Sequence, residues 1–277
     1  MPRAESSPPH SLRAAGLTVG YTDDPVIEGL TVDLPSSGIT MIVGGNGCGK
    51  STLLRALARL LPPRAGAVLL DGKPIDELPT KQVARILGLL PQAPVAPDGI
   101  TVAELVDRGR TPHRAWFGRR GQKDDDAVAE ALTLTSMTDL ADRPVDEMSG
   151  GQRQRAWIAM ALAQETDLLL LDEPTTHLDL AHQVELLELL TELVRRRGTQ
   201  IVVVMHELNL AARYGDYLIA MRGGAVVMHG APGEVMTAEA IEEIFDLPCV
   251  IVPDPIVGTP MVVPRGAEST RHGRMEE

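Results

Sequence analysis

Residues 44–52 read GGNGCGKST, between the short apolar run GITMIVG and the helix-patterned STLLRALARLL. This is G-x-x-x-x-G-K-[ST] in full, in the strand–loop–helix setting that the pattern requires. Glycines let successive backbone N–H groups close around phosphate oxygens. Gly44, Gly45, Asn46, Gly47, Cys48, Gly49, Lys50, Ser51 and Thr52 therefore read as a nucleoside triphosphate cradle. Lys50 is placed to reach the β- and γ-phosphates and Ser51 to hold Mg²⁺. Lys50 is expected to be exposed while the loop is empty, so that Lys50→Ala weakens nucleotide binding and leaves folding intact. The loop alone does not distinguish a kinase, a GTPase or a motor.

A second acidic stretch fits the same chemistry. TDLLLLDEP is a continuous apolar run ending in two acids, the pattern of a central parallel strand buried on both faces. Side chains alternate along a strand, so Asp172 and Glu173 are expected to face different ways. One of them can then organise Mg²⁺ through water while the other polarises the attacking water. An Asp-Glu pair met alone is a solvated strand end; the glycine loop changes its meaning. His206 closes IVVVMH, another buried strand, whose carboxyl end is where ligands bind in open α/β sheets. It is expected at the γ-phosphate. Gln92 follows ILGLLP, and its neutral amide is expected to sense Mg²⁺ or water. Tyr21 offers a ring for adenine, although a lone tyrosine there also suits an ordinary turn.

Around these stretches the chain reads as α/β. LRAAGLTVGY and EGLTVDLP alternate as an antiparallel pair, and AGAVLLDGKPI turns at Asp71-Gly72. KQVARILGLLPQ is a helix then a strand. Residues 93 to about 165 hold no convincing strand; TVAELVDRGR and DDDAVAEALTLTSM have helical spacing, with the basic, aromatic segment TPHRAWFGRRGQK between them. This is a helical insertion in the core. QVELLELLTELVRRR is an amphipathic helix stopped by Gly198, NLAARYG is another helix, and DYLIAMRGGAVVMHG is a terminal hairpin turning at Gly223-Gly224. Residues 11–262 form the folded domain, with disordered tails at 1–10 and 263–277, both polar and without periodicity.

Composition removes several partner classes. Net charge is −12, from 38 acidic and 26 basic residues, which argues against a nucleic-acid surface and against adhesion to anionic lipid. Two cysteines, Cys48 in the glycine loop and Cys249, point to a reduced cytosolic protein. No apolar run approaches the ~20 residues that span a bilayer, and MPRAESSPPH has no secretory h-region. A membrane role must come through a partner.

Residues 148–157, MSGGQRQRAW, supply a second anion-binding helix start, with Ser149, Gly150, Gly151 and Gln152 at its tip. Together with Tyr21, GGNGCGKST, Gln92, LLLLDEP, HLD at 177–179 and His206, this segment resembles the ATP-binding subunit of an ABC transporter. The resemblance runs from about residue 12 to 262, and SGGQ is its most specific element, because other P-loop classes lack it. It implies a P-loop ABC ATPase core with a mainly parallel sheet, an antiparallel β subdomain and an inserted helical subdomain. MSGGQRQRAWIAMALAQ, LLLLDEPTTHLDLAHQVELLELL and HELNLAARYGD look like the branch importing ferric siderophores, with haem and cobalamin importers as near relatives.

Much follows from the resemblance. It implies ATP and Mg²⁺ as ligands, with Ser51, Gln92 and Asp172 at the metal. It implies a head-to-tail homodimer, each ATP lying between the glycine loop of one chain and the SGGQ helix start of the other, with Asp179 touching the partner's loop. Two helix starts then serve two nucleotides. It implies a membrane permease docked on the insertion, especially residues 93–117, an external substrate-binding protein that does not touch this chain, and a peripheral place on the cytoplasmic face of the membrane. The sequence departs from the family at Gly45, where a bulkier residue is usual, and at Glu207, where Asp is usual; neither removes a phosphate or metal ligand. A soluble ABC ATPase of translation or repair would carry two cassettes, a long coiled coil or a basic arm. A P-loop kinase would need a phosphate acceptor and have no use for SGGQ.

Overall fold

The computed structural model describes residues 9–114, 121–176 and 178–266. The first half runs β1 (Leu12–Val19), β2 (Ile27–Leu34), β3 (Ile39–Gly44), α1 (Lys50–Leu57), β4 (Ala65–Leu70), β5 (Lys73–Pro74), α2 (Thr80–Ile86) and β6 (Leu87–Leu90). Three helices follow: α3 (Val102–Arg108), α4 (Gln122–Leu134) and α5 (Gly150–Ala163). Then come β7 (Leu168–Asp172), α6 (Leu180–Arg197), β8 (Gln200–Val204), α7 (Leu208–Tyr214), β9 (Tyr217–Arg222) and β10 (Ala225–Gly230). The chain ends with α8 (Pro232–Val235), α9 (Ala238–Phe245), β11 (Cys249–Pro253) and β12 (Pro260–Pro264).

Six strands form the central sheet in the order β10-β9-β3-β8-β7-β6. All pairings are parallel except the edge hairpin β9–β10. Strands β3, β7 and β8 are buried throughout, and alternation divides their side chains between two cores. Leu169, Leu171, Ile201 and Val203 face the helices of the insertion with α6 and α7, whereas Leu168, Leu170, Val202 and Val204 face α1 and the second sheet. That second sheet is antiparallel, order β2-β1-β4-β5. Its β4–β5 turn has Asp71 at φ 52 and Gly72 at φ 75, the paired left-handed residues of a type I′ turn.

The helical insertion hangs between β6 and β7. α3 is started by a reciprocal cap, Thr101 accepting from the Glu104 N–H and Glu104 from the Thr101 N–H. Where the insertion returns to the core, Gln164 Nε2 donates to the Ala84 carbonyl of α2, 2.7 Å. Two regions differ from the sequence reading. Residues 231–264, read as no more than the end of the domain, hold α8, α9 and a two-stranded sheet; β12 reaches Pro264, inside the stretch expected as tail. Asn209 on α7 pins this sheet, accepting from the Val262 N–H and donating to the Val262 carbonyl. His10, also expected in a tail, hydrogen bonds Asp71 at 2.7 Å. Residues 1–8 and 267–277 lie outside the described residues.

Candidate active site

The glycine loop leaves β3 at Gly44, φ 155, where an added Cβ would stand 2.3 Å from the Met221 carbonyl oxygen. Only glycine lets β9 and the loop approach so closely. Gly49, φ 103, turns the chain into α1. Gly45 does not take a positive φ, and an added Cβ there meets nothing within 4 Å. Its lack of a side chain is therefore no requirement of the loop. Lys50 departs from expectation. It is 5% exposed, not free, because Nζ folds back onto the Gly44 and Gly45 carbonyls at 2.9 and 3.0 Å. A cation beside backbone carbonyls takes the nearest acceptors.

The acids meet this loop at the carboxyl ends of β7 and β8. Parallel pairing sets Asp172 opposite Val204, so Glu173, one residue beyond Asp172, and His206, two beyond Val204, emerge at the same end of the sheet. Asp172 is 1% exposed, its Oδ1 accepting from Ser51 Oγ at 2.8 Å and its Oδ2 having no partner. Burial pushes its carboxyl above the usual carboxylate range, the Ser51 hydrogen bond pulls it back, and the Glu173 charge adds to the rise. Glu173, past the end of β7, has partners of its own. Its Oε1 lies 2.6 Å from His206 Nε2, and its Oε2 accepts from Gln92 Nε2 at 2.7 Å and Thr176 Oγ1 at 3.3 Å. Glu173 also has φ 51, a left-handed backbone rare outside glycine. Gln92 was expected at metal or water; here its amide nitrogen binds Glu173.

One cavity of ≈ 350 Å³ is walled by the loop from Asn46 to Thr52, by Gln92, Glu173 and His206, and by Val26; Gly44, Gly45 and Asp172 are not among its lining residues. Val26 and Thr176 were not anticipated; no residue type marks them, and only the fold brings them in. The unpartnered, buried Asp172 oxygen beside the Ser51 hydroxyl is a hard-oxygen pair suited to Mg²⁺, which takes one or two protein oxygens and completes its shell from phosphate and water. Among the described residues no cluster of three or more His, Cys, Asp or Glu could hold a metal alone.

Other expected residues stand outside the cavity. Tyr21 is 55% exposed in the β1–β2 loop, its hydroxyl accepting from Arg55 Nη1 at 3.0 Å. Ser149 caps α5, accepting from the Gln152 N–H at 3.3 Å while Gln152 Oε1 accepts from the Ser149 N–H at 3.2 Å. Gly150 and Gly151 form the first turn of α5, and none of these four lines the cavity. Asp179 caps α6, accepting from the His182 N–H at 3.0 Å. Of residues 93–117, expected to dock a permease, 93–114 are described, and their end is held by Arg85 Nε donating to the Pro112 carbonyl at 3.0 Å; residues 115–120 and His177 of HLD lie outside the described residues. No described helix is long and apolar enough to cross a membrane.

Residues 27–176 match the family model described as ABC transporter. The ferric enterobactin transport ATP-binding protein of Escherichia coli (strain K12) is 55% identical, over 92% of this chain and 94% of that protein. The hemin import ATP-binding protein of Streptomyces coelicolor is 40% identical, over 95% of this chain and 94% of its own. A bacterial ABC transporter cassette solved as a dimer superposes with a TM-score of 0.72 at 25% identity, covering 79% of this chain and 98% of that one. With its glycine loop, paired acids and inserted helical subdomain, the chain belongs to the ABC transporter family, as one of its ATPase cassettes.

Proposed function

We propose that this chain hydrolyses ATP on the cytoplasmic face of the membrane to drive uptake of an iron(III)-siderophore complex through a permease. The observation that carries the hydrolytic reading is Glu173, fixed at the cavity between His206 and Gln92. Glu173 is the general base that takes a proton from the attacking water. Gln92 and His206 hold its carboxylate from two sides and so fix where it meets that water. Mg²⁺, when bound beside Ser51 and Asp172, neutralises phosphate charge. Lys50 leaves the loop carbonyls for the phosphates, and the loop N–H groups face the oxygens. Tyr21 stacks on adenine.

The partner subunit's nucleotide is the ligand of the second helix start. Ser149, Gly150 and Gly151 close on its γ-phosphate in a head-to-tail homodimer, with Gln152 completing the cap and Asp179 beside the partner's glycine loop. The exposure of Ser149 and Gly150 and the absence of that helix start from the chain's own cavity lining support the shared site. The insertion docks the permease, and an external binding protein delivers cargo without touching this chain.

The cargo reading draws on the relatives: identity is 55% to the ferric enterobactin protein and 40% to the hemin protein. An iron-starved host lacking this chain is expected to stop accumulating one ferric chelate, growth returning with excess free iron salts. Normal uptake of every ferric chelate tested, with failed haem or cobalamin uptake, overturns the cargo.

A further inference from the structure

Gln154 stands on α5 about one turn past the Ser149 cap, and its Nε2 donates to the Pro174 carbonyl at 2.9 Å. Pro174 follows Glu173, and having no N–H it offers the main chain only that carbonyl. The turn it belongs to is tight. Thr176 N–H donates to the Glu173 carbonyl at 3.2 Å, and Glu173 itself holds the left-handed φ of 51. A non-glycine residue stays in that region only where its surroundings hold it there, and such residues gather at working sites. Gln92 and His206 grip the Glu173 carboxylate, but Gln154 grips the backbone that aims it.

The two ends of this hydrogen bond belong to different bodies. Pro174 closes the strand end of the core, whereas α5 is the long helix of the insertion, and its tip is the proposed contact for the partner's nucleotide. We infer that Gln154 is a positioning residue for Glu173: it ties the helix that meets one nucleotide to the turn that aims the base at the other. A shift of α5 is then felt at the base of its own chain. The inference rests on the hydrolytic, shared-site reading above.

The test compares ATPase steady-state kinetics and ATP retention after rapid desalting for the assembled transporter. Gln154→Leu removes the donor at similar length; Gln154→Lys restores an N–H donor that reaches the carbonyl. Expected for Gln154→Leu is a kcat lower by about tenfold, the scale of one lost orienting hydrogen bond, with KM for ATP and retained ATP unchanged. Gln154→Lys is expected to recover most of the lost kcat. An unchanged kcat in Gln154→Leu overturns the inference. So does a parallel loss of retained ATP, which marks a misplaced helix, and so does a fall that Gln154→Lys leaves in place. If Gln154→Leu does not fold, Gln154→Glu, which keeps length and turns a carboxylate on the carbonyl, is compared with Gln154→Lys by the same criteria. Absence of hydrolysis in the unsubstituted transporter would instead remove the underlying functional reading.

Discussion

The Asp172 carboxyl is 1% exposed and has one oxygen without a partner, an arrangement that favours a metal and disfavours the empty protein. Its carboxyl is raised by burial, so between the unfolded and folded titration ranges the native state keeps a proton that the unfolded chain has released. Stability therefore falls as pH rises through that window. Asp172→Asn is expected to stabilise the nucleotide-free chain at neutral pH by roughly 0.5–2 kcal/mol, the gain shrinking as pH falls and the native acid protonates. Thermal melts across pH check this, and a lower melting temperature at neutral pH sinks it; Mg-dependent ATP binding should fall in the same variant. Glu173→Gln keeps the shape between Gln92 and His206 but removes the base. Hydrolysis is expected to drop by roughly 10²-fold while ATP stays bound; near-normal turnover would reassign the base. Gly45→Ala fills open space without a left-handed φ, so chemical denaturation should show a gain of about 0.4–1 kcal/mol.

At the scale of elements, the insertion is locked by Arg110, 4% exposed, whose Nε meets Asp124 Oδ1 at 3.0 Å and whose Nη1 meets the Ala163 carbonyl and Glu165 Oε2, each at 2.7 Å. One guanidinium thus joins the end of α3 to α4 and to the close of α5. Burial raises the Asp124 carboxyl, but hydrogen bonds from Arg110, the Gly121 N–H and Arg114 outweigh it and hold the group below its usual range. Its share of stability is present above the unfolded carboxylate range and lost as pH falls through the folded one. Arg110→Met leaves Asp124 to Arg114 and the Gly121 N–H and is expected to cost about 1.5–3 kcal/mol in urea unfolding; no measurable loss would show the lock to be idle. The helices of this insertion were legible because their apolar residues recur at helical spacing. The β11–β12 sheet was not, since its anchor is an asparagine side chain on α7, 53 residues away. Distance in sequence hid the site's geometry in the same way. Glu173 and His206 were readable as residue types, but Gln92 meets Glu173 across 81 residues, and no local pattern encodes that. Lys50 misled because a lysine in a glycine loop suggests solvent, whereas its own loop supplies two carbonyls.

For the whole molecule, the proposed dimer makes a prediction that one chain cannot satisfy alone. Pair a subunit carrying Lys50→Ala with one carrying Gly151→Asp. An added Cβ at Gly151 meets only Leu178 Cδ2 at an ordinary 3.5 Å, so the aspartate acts by charge against a γ-phosphate, not by disrupting α5. Lys50→Ala also takes a donor from the Gly44 and Gly45 carbonyls, the second of which keeps the Cys48 N–H, and should lower stability by about 1 kcal/mol, so circular dichroism must accompany the assay. With shared sites both lesions fall on one nucleotide, and the mixed dimer is expected to retain one ATP after desalting while neither homodimer retains any. Empty mixed dimers, correctly assembled, would count against sharing. The in-step pairing of β7 with β8 has another consequence. Because Leu168 through Asp172 run opposite Gln200 through Val204 residue by residue, inheritance here tolerates a changed letter far better than a missing one. Exchanging a buried leucine for valine dents the packing, but deleting a single codon between Leu168 and Leu171 turns every later side chain over, moving the aspartate into the buried place of Leu171 and the glutamate into that of Asp172.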